Sequence, residues 1–152
     1  MKPIIRIAKP EDLPTLLQFE QGIITVERPF DTTLRKGHIN YYDIEALMES
    51  KGAEVIVAEV NGEVVGSAYV KLKKALPYLD HEDYAYLGFM FVKPAFRGQG
   101  INKLIIERLY DWAKANDLRE VRLEVYEENA AAIHAYDKAG FKKHMVLMRT
   151  RI

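Results

Sequence analysis

Residues 97–102 read Arg-Gly-Gln-Gly-Ile-Asn and lie between an apolar segment and an amphipathic one. The first turn of a helix exposes backbone N–H groups and carries a partial positive charge, which together favour an anion. Gly98 and Gly100 lack a Cβ, so a pyrophosphate can approach the backbone closely. Arg97 can add a charge-assisted hydrogen bond of about 1.5–3 kcal/mol. The pattern therefore indicates a phosphate-binding loop.

This segment is a poor match to two better-known phosphate-binding loops. The dinucleotide fingerprint requires a third glycine, where Asn102 and Lys103 stand instead. The triphosphate loop ends in Gly-Lys-Ser/Thr, which is missing here. An ordinary connection between a strand and a helix also often contains Gly-x-Gly, so the loop alone does not decide the function.

The composition sets limits on the whole chain. Its 152 residues fit one domain, 1–152. Lys plus Arg and Asp plus Glu number 22 each, so no overall field attracts nucleic acid or a membrane surface. The chain has no Cys, and its four His lack metal-ligand spacing, so we expect neither a thiolate nor a metal site. Without a signal peptide or a long apolar run, we expect a soluble, cytoplasmic protein.

Apolar spacing and turn residues in the first half of the chain predict strands, two helices, a hairpin and a loop. Ile4 to Ile7 form a strand, and a helix opens at residues 10–12. A second helix covers Tyr41 to Ser50. A hairpin turns at Asn61-Gly62, and residues 73–83 form a loop before a buried strand at Tyr84 to Val92.

Together with the strand at Tyr84 to Val92, the second half of the chain is predicted to form a strand-helix-strand unit, which is followed by a helix and a strand. A helix begins at Ile101 and a strand covers residues 120–125. The last helix, 130–139, is capped by Gly140, and Lys142 to Arg151 form the final strand. We therefore expect an α/β (α+β) fold with a mixed, mostly antiparallel sheet and helices on both faces.

Two motifs resemble the GCN5-related N-acetyltransferases. Residues 92–101 look like that family's acetyl-coenzyme A loop, Gln/Arg-x-x-Gly-x-Gly/Ala, with Arg97 and Gly100 matching and Asn102 departing from the last position. Residues 129–141 resemble its second signature, N-x-x-A-x-x-x-Y-x-K-x-G-F, in the expected order. The predicted element order is similar to the family fold over the whole chain.

The resemblance implies acetyl-coenzyme A as co-substrate. Main-chain groups of Met90, Phe91 and Val92 would hold the pantetheine arm where that strand parts from the one at 121–125. A backbone N–H of Met90 or Phe91 would stabilise the oxyanion. The pyrophosphate would lie on Arg97, Gly98, Gln99, Gly100, Ile101 and Asn102.

Tyr136 is the implied general acid, because the resemblance places its hydroxyl near the thioester sulfur. A phenol with a pKa of about 10 can protonate a thiolate whose pKa is near 8.5. Packing between helix and sheet is the alternative for this ring. Asn129 would contact the pantetheine arm and also cap the last helix. No general base is assigned: the candidates are Glu27, Glu82, Asp83 and Glu124, since Gly88 and Phe89 stand where relatives often carry a carboxylate.

The acceptor is a primary amine on a small molecule, peptide or protein. Glu27 would bind an ammonium and Arg28 a carboxylate in the loop after the first helix, while Tyr41, Tyr42, Tyr84 and Tyr86 would line either the cleft or the core. Homodimer formation through a sheet edge or the last strand is a further expectation. A non-catalytic coenzyme A sensor is the main alternative, and a domain for another phosphate ligand is the third.

Overall fold

The computed structural model describes residues 2–152. Five strands form one sheet in the order β1-β2-β3-β4-β5, in which only β4 and β5 are parallel. This confirms the predicted mixed sheet. The elements are β1 Ile4–Ile7, α1 Leu13–Glu27, α2 Ile44–Glu49, β2 Ala53–Val60, β3 Glu63–Lys74, β4 Asp83–Val92, α3 Ile101–Ala115, β5 Val121–Arg122 and α4 Ala130–Lys138.

Helices cover both faces of the sheet and divide its core in two. The sheet residues on the α3 side are mainly small or β-branched, including Val65, Ala68 and Val70. The sheet residues on the side of α1 and α2 are larger and partly aromatic, including Val57, Tyr69 and Phe89. The aromatic side is the one that carries the predicted acceptor tyrosines.

The hairpin between β2 and β3 turns as predicted. Asn61 and Gly62 have φ angles of 51° and 82°, the two positive values that a type I′ turn requires. The strands that flank the next loop are longer than predicted, because β3 runs to Lys74 and β4 begins at Asp83. Only residues 75–82 remain outside the sheet, and the predicted 73–83 loop was too long at both ends.

Helix α2 is shorter than its predicted span of 41–50. Asp43 caps it by accepting a hydrogen bond from Ala46 N at 3.1 Å. The two residues before the cap are held elsewhere: the buried carboxylate of Glu20 accepts hydrogen bonds from Tyr41 N at 2.7 Å and Tyr42 N at 2.8 Å. Glu20 thus joins the tyrosine-bearing segment to α1.

The predicted C-terminal strand at Lys142 to Arg151 was wrong, and β5 is shorter than predicted. Residues 142–152 form neither helix nor strand. A strand needs a neighbouring edge in register, and β5 offers only two paired residues. The tail is attached by a side chain instead: Arg149 donates to Asp31 Oδ1 at 2.8 Å and to Thr33 Oγ1 at 3.0 Å.

Candidate active site

Strand β4 is interrupted by a bulge. Ser67 pairs with Phe91 and Tyr69 pairs with Gly88, so Phe89 and Met90 together face the single residue between those partners. Phe89 has a φ of 57°, an uncommon value for a bulky residue. Its ring is buried, and its carbonyl accepts a hydrogen bond from Ser67 Oγ at 3.1 Å. Packing of the Phe89 ring and this hydrogen bond stabilise the strained backbone. The bulge turns backbone N–H and C=O groups away from the hydrogen-bond ladder with β3.

The edge of β4 beyond the bulge is free on the side of β5. The two strands pair only at Ala85 with Val121 and Tyr86 with Arg122. From Leu87 to Val92, β3 is the one strand that pairs with β4 within residues 2–152, and Val92 O accepts a hydrogen bond from the side chain of Arg97. An extended ligand can therefore add to this edge as a further strand would. Met90, Phe91 and Val92, the predicted pantetheine contacts, all lie on it.

The glycine loop connects the end of β4 to α3. Gly98 and Gly100 have φ angles of 75° and 82°, so both need the conformational freedom of glycine. Nothing lies within 4 Å of where their Cβ atoms would be, which leaves the loop open. Helix α3 begins at Ile101 and no side chain caps it, so the amides of its first turn, including that of Asn102, face outward.

Arg97 is anchored to the strand that precedes the loop. Its Nε donates to Val92 O at 2.8 Å, and its guanidinium carbon lies 5.9 Å from the Phe91 ring centroid. Gln99 makes a long side-chain bond to Ala95 O at 3.4 Å. The arginine is exposed, and its two terminal nitrogens make no hydrogen bond within residues 2–152. They remain available to an anion at the loop.

Tyr136 lies near the end of α4. Gly140, with a φ of 100°, ends the helix as predicted: Phe141 N donates to Tyr136 O and Gly140 N to Asp137 O, each at 3.0 Å. The Tyr136 ring meets Phe141 edge-on at 6.0 Å. Burial, assisted by the Glu27 charge, raises the pKa of Tyr136 to about 12. The phenol therefore keeps its proton at neutral pH.

Asn129 caps α4, which is one of the two roles predicted for it. Its side-chain oxygen accepts from Ala132 N at 3.2 Å. This contact uses the oxygen and leaves the amide nitrogen free to donate. The predicted contact with the pantetheine arm stays a prediction.

Glu27, the last residue of α1, lies among four tyrosines. Burial raises the pKa of its carboxyl, and the nearby Tyr41 hydroxyl lowers it. Its charge in turn contributes to raising the pKa of Tyr41, Tyr42 and Tyr126, after the larger effect of burial at each. Since Tyr136 is influenced as well, Glu27 is the candidate base that lies near the predicted acid.

The other three candidate bases lie in different surroundings. Glu82 is exposed. Asp83 pairs with Lys74 Nζ at 2.8 Å. Glu124 is exposed and lies near the Tyr86 hydroxyl, where its charge helps to raise that pKa after burial. Two carboxylates, Glu27 and Glu124, are thus close to the tyrosines.

Arg28 is occupied within its own loop. Its two terminal nitrogens donate to Arg35 O at 2.8 Å and Gly37 O at 2.5 Å. The loop 31–37 is shaped by these bonds. The predicted contact of Arg28 with a substrate carboxylate stays a prediction, and two of its donors already have partners.

A row of tyrosine rings crosses the aromatic face of the sheet. Centroid distances are 5.7 Å for Tyr41–Tyr42, 5.6 Å for Tyr42–Tyr69 and 6.4 Å for Tyr69–Tyr86. Tyr42 also lies 5.2 Å from the ring of Phe89 at the bulge. Burial raises the pKa of Tyr69 to about 12. We call these four residues the tyrosine row.

Gly88 makes room for the tyrosine row. A Cβ on this residue would overlap the Cζ and Oη atoms of Tyr69. The ring thus occupies the space in which a side chain at position 88 would stand, which explains physically why no carboxylate is found there. The sequence reasoning noted the missing carboxylate and missed Tyr69, although a small residue in a buried strand signals close approach of another group.

Residues 2–152 contain neither a cluster of metal-ligating side chains nor a helix that could span a membrane. Within residues 2–152, no group of three or more His, Cys, Asp or Glu side chains is arranged to hold a metal ion. In the same part of the chain, every helix is too short or too polar to cross a bilayer.

Relatives found by sequence and by structure are described as acetyltransferases. The chain is 33% identical over 138 residues to an acetyltransferase of Pectobacterium atrosepticum, covering 91% of this chain and 86% of the relative. It is also 33% identical over 101 residues to an uncharacterized N-acetyltransferase of Methanocaldococcus jannaschii, covering 66% of this chain and 44% of that one. A predicted acetyltransferase of Clostridium acetobutylicum, solved with acetyl-CoA, superposes with a TM-score of 0.73 at 19% identity, covering 99% and 96%.

A bulged β4 that ends in a glycine loop at a helix N-terminus defines an acyltransferase-type α/β domain. The model of the acetyltransferase (GNAT) family matches residues 22–141, and the chain belongs to this family. A Bacillus halodurans protein shares the fold closely, with a TM-score of 0.89 at 19% identity over 98% of this chain and 99% of that one.

We predict that Gly88→Ala disturbs the bulge. The added methyl group forces the buried Tyr69 ring to move, at a cost of about 1–3 kcal/mol in the free energy of unfolding, measured by urea denaturation. In a Tyr69→Ala background the same substitution should cost less than about 0.5 kcal/mol, because the overlap is gone. Equal costs in the two backgrounds would show that Tyr69 is not the constraint.

Proposed function

We propose that the protein transfers an acetyl group from acetyl-coenzyme A to a primary amine by direct attack. The observation that carries this proposal is the free, bulged edge of β4, which leads from the tyrosine row to the glycine loop. The charge of Glu27 on α1 contributes, after burial, to raising the pKa of Tyr136 on α4. Without a Cys in the chain, a thioester intermediate on the enzyme has no nucleophile.

The residues of the loop and strand fit acetyl-coenzyme A. The open first turn of α3 and the uncovered Gly98 and Gly100 suit a pyrophosphate. Arg97 offers two free nitrogens to the same anion. In the proposed pose, Gln99, Ile101 and Asn102 contribute backbone groups, and Met90, Phe91 and Val92 bind the pantetheine arm through the main chain, while Asn129 donates its amide N–H.

Acetyl-coenzyme A supplies the acyl group as an activated thioester. The acceptor nitrogen must first lose a proton, and Glu27 accepts it, because its raised pKa makes it a better base than an exposed carboxylate. A backbone N–H at Met90 or Phe91 donates to the oxygen on which negative charge develops. The neutral amine forms the new C–N bond, and Tyr136 gives its phenolic proton to the sulfur as the C–S bond breaks. The second proton of the acceptor nitrogen passes to solvent, and solvent returns a proton to Tyr136.

A coenzyme A sensor without catalysis is the second candidate. It would use the same loop and the same β4 edge. The raised pKa of Glu27 and its effect on Tyr136 favour the enzyme, because ionisable groups with perturbed pKa values are concentrated at catalytic sites. The two functions differ in thiol release from acetyl-coenzyme A in the presence of amines.

Location and assembly form part of the same proposal. We infer a cytoplasmic enzyme, since acetyl-coenzyme A is made and used inside cells. A homodimer is inferred from the tail, where Met145, Val146, Leu147 and Met148 are between 74% and 88% exposed. Sedimentation should give twice the mass of 17.5 kDa. A monomeric mass at working concentrations would contradict the dimer.

The function is tested by thiol release from acetyl-coenzyme A with a panel of primary amines. Tyr136→Phe removes the acidic proton and should lower kcat by about 10²-fold, the lower end of what general acids contribute, while the Kd for acetyl-coenzyme A stays within about twofold. Tyr110→Phe is the matched control, since that hydroxyl bonds to Ala139 O at 2.8 Å away from the glycine loop. An unchanged kcat for Tyr136→Phe would remove this residue from the mechanism.

Glu27→Gln tests the base. The variant keeps the size of the side chain and loses its charge, so kcat/KM for the amine should fall by about 10²-fold. The loss should shrink as pH rises, because a larger share of the amine is then already neutral. Glu82→Gln, at an exposed site, should leave the profile unchanged. A parallel pH profile for wild type and Glu27→Gln would argue against the assignment.

A further inference from the structure

Two lysines of β3 lie over the outer part of the tyrosine row. Lys71 Nζ is 5.6 Å from the Tyr69 ring centroid, and Lys73 Nζ is 3.7 Å from the Tyr86 ring centroid. Such cation–π contacts hold an ammonium in place and leave its N–H donors free. Both side chains are half-buried.

Neither lysine has an acidic partner. The next residue, Lys74, pairs with Asp83 at 2.8 Å, and Lys93 pairs with Glu63 at 2.8 Å. Among the lysines of residues 2–152, Lys71 and Lys73 are the two that are half-buried and have no carboxylate within 4.0 Å. Burial and the charge of Lys73 both lower the pKa of Lys71. Two like charges kept together at partial burial cost free energy that an anion would recover.

The two lysines lie outward from the bulge along one face of the sheet. Tyr69 pairs with Gly88, Lys71 with Tyr86, and Lys73 with Tyr84. Alternate residues share a face, and a strand rises about 3.3 Å per residue, so Lys71 and Lys73 are about 7 and 13 Å along β3 from Tyr69. Lys71 is thus the nearer of the two lysines to the bulge.

We propose that Lys71 and Lys73 form an anion subsite for the acceptor, which carries a carboxylate or phosphate at one end and its reactive amine at the other. This inference rests on the proposed function and names its substrate class. The amine end lies toward the bulge of β4, and Tyr69 contacts the part of the acceptor between the two charges. The lysines take the role for which Arg28 was considered from sequence.

Local charge supports an acidic group at this end. Glu124 lies beside Tyr86, and Lys71 and Lys73 lie over Tyr69 and Tyr86, so two lysine charges outnumber one carboxylate at this end of the tyrosine row. Two cations on a chain with balanced charge are too few for nucleic acid, which is bound by extended basic surfaces. A compact anion on a small amine fits the pair.

Matched amines test the subsite. Phosphoethanolamine is compared with ethanolamine, and β-alanine with propylamine, in the thiol-release assay. The acid-bearing member of each pair should have the lower KM. Lys71→Gln and Lys73→Gln should each raise that KM about tenfold, as expected for loss of a partly buried charge contact. The KM values for ethanolamine, propylamine and acetyl-coenzyme A should change less than about twofold.

Lys74→Gln is the matched control, because it is an adjacent lysine whose charge is used by Asp83. It should leave all of the KM values unchanged. Equal KM values for the acidic and neutral amines in wild type would overturn the subsite, and so would equal effects of the three lysine variants.

Failure of the proposed function is distinguished by calorimetry. If no amine gives thiol release, phosphoethanolamine and ethanolamine are titrated into wild type and Lys71→Gln. Binding of phosphoethanolamine alone, lost in the variant, supports the subsite even then. Equal affinity for both compounds, or no binding of either, overturns it.

Discussion

The candidate site depends on the irregular backbone of β4 at Phe89 and Met90. A regular strand would turn the amides at this point into the ladder with β3. Here the Ser67 hydroxyl binds the Phe89 carbonyl and the buried Phe89 ring anchors a left-handed φ. A strained backbone of this kind persists only where several surrounding contacts hold it in place. The surroundings are Tyr42, whose ring centroid lies 5.2 Å from that of Phe89, and the register of β4 on the longest strand, β3.

The bulge has consequences on both sides of the sheet. Toward β5 it precedes the free edge that leads to the glycine loop, where phosphate would bind. Toward α1 it places Phe89 beneath the tyrosine row, and Gly88 admits the ring of Tyr69. The free edge and the tyrosine row, which the proposed function assigns to acetyl-coenzyme A and the acceptor, both adjoin this one short segment. Glu20 holds the Tyr41–Tyr42 backbone of this row against α1.

Local patterns predicted most of the fold. The hairpin at Asn61-Gly62, the start of α3 after Gly100 and the Gly140 cap all depend on short-range backbone preferences, and the family membership followed from two motifs. The last strand failed because its apolar pattern specifies an extended chain but not a partner edge. Phe89 and Tyr69 were missed as a unit, since a bulge and a ring lying over a glycine arise from pairing between strands distant in sequence.

Side-chain roles were predictable where a motif carried them and not elsewhere. The glycine loop leads into the start of α3, as its motif implied, and the catalytic role of Tyr136 stays a prediction. The positions of the charges at the proposed acceptor end could not be predicted from the sequence. Arg28 turns back to its own loop, while Lys71 and Lys73 project from β3 over tyrosine rings. Such placements are decided by the register of β3 on β4.

The most direct test of the central claim is calorimetric titration of the protein with acetyl-coenzyme A, with NAD and ATP as competing nucleotides. The account predicts one site per chain for acetyl-coenzyme A, weakened about tenfold or more by Arg97→Ala, which removes a charge-assisted contact. NAD and ATP should not displace it. Absence of acetyl-coenzyme A binding, or its displacement by either nucleotide at equal concentration, would contradict the account.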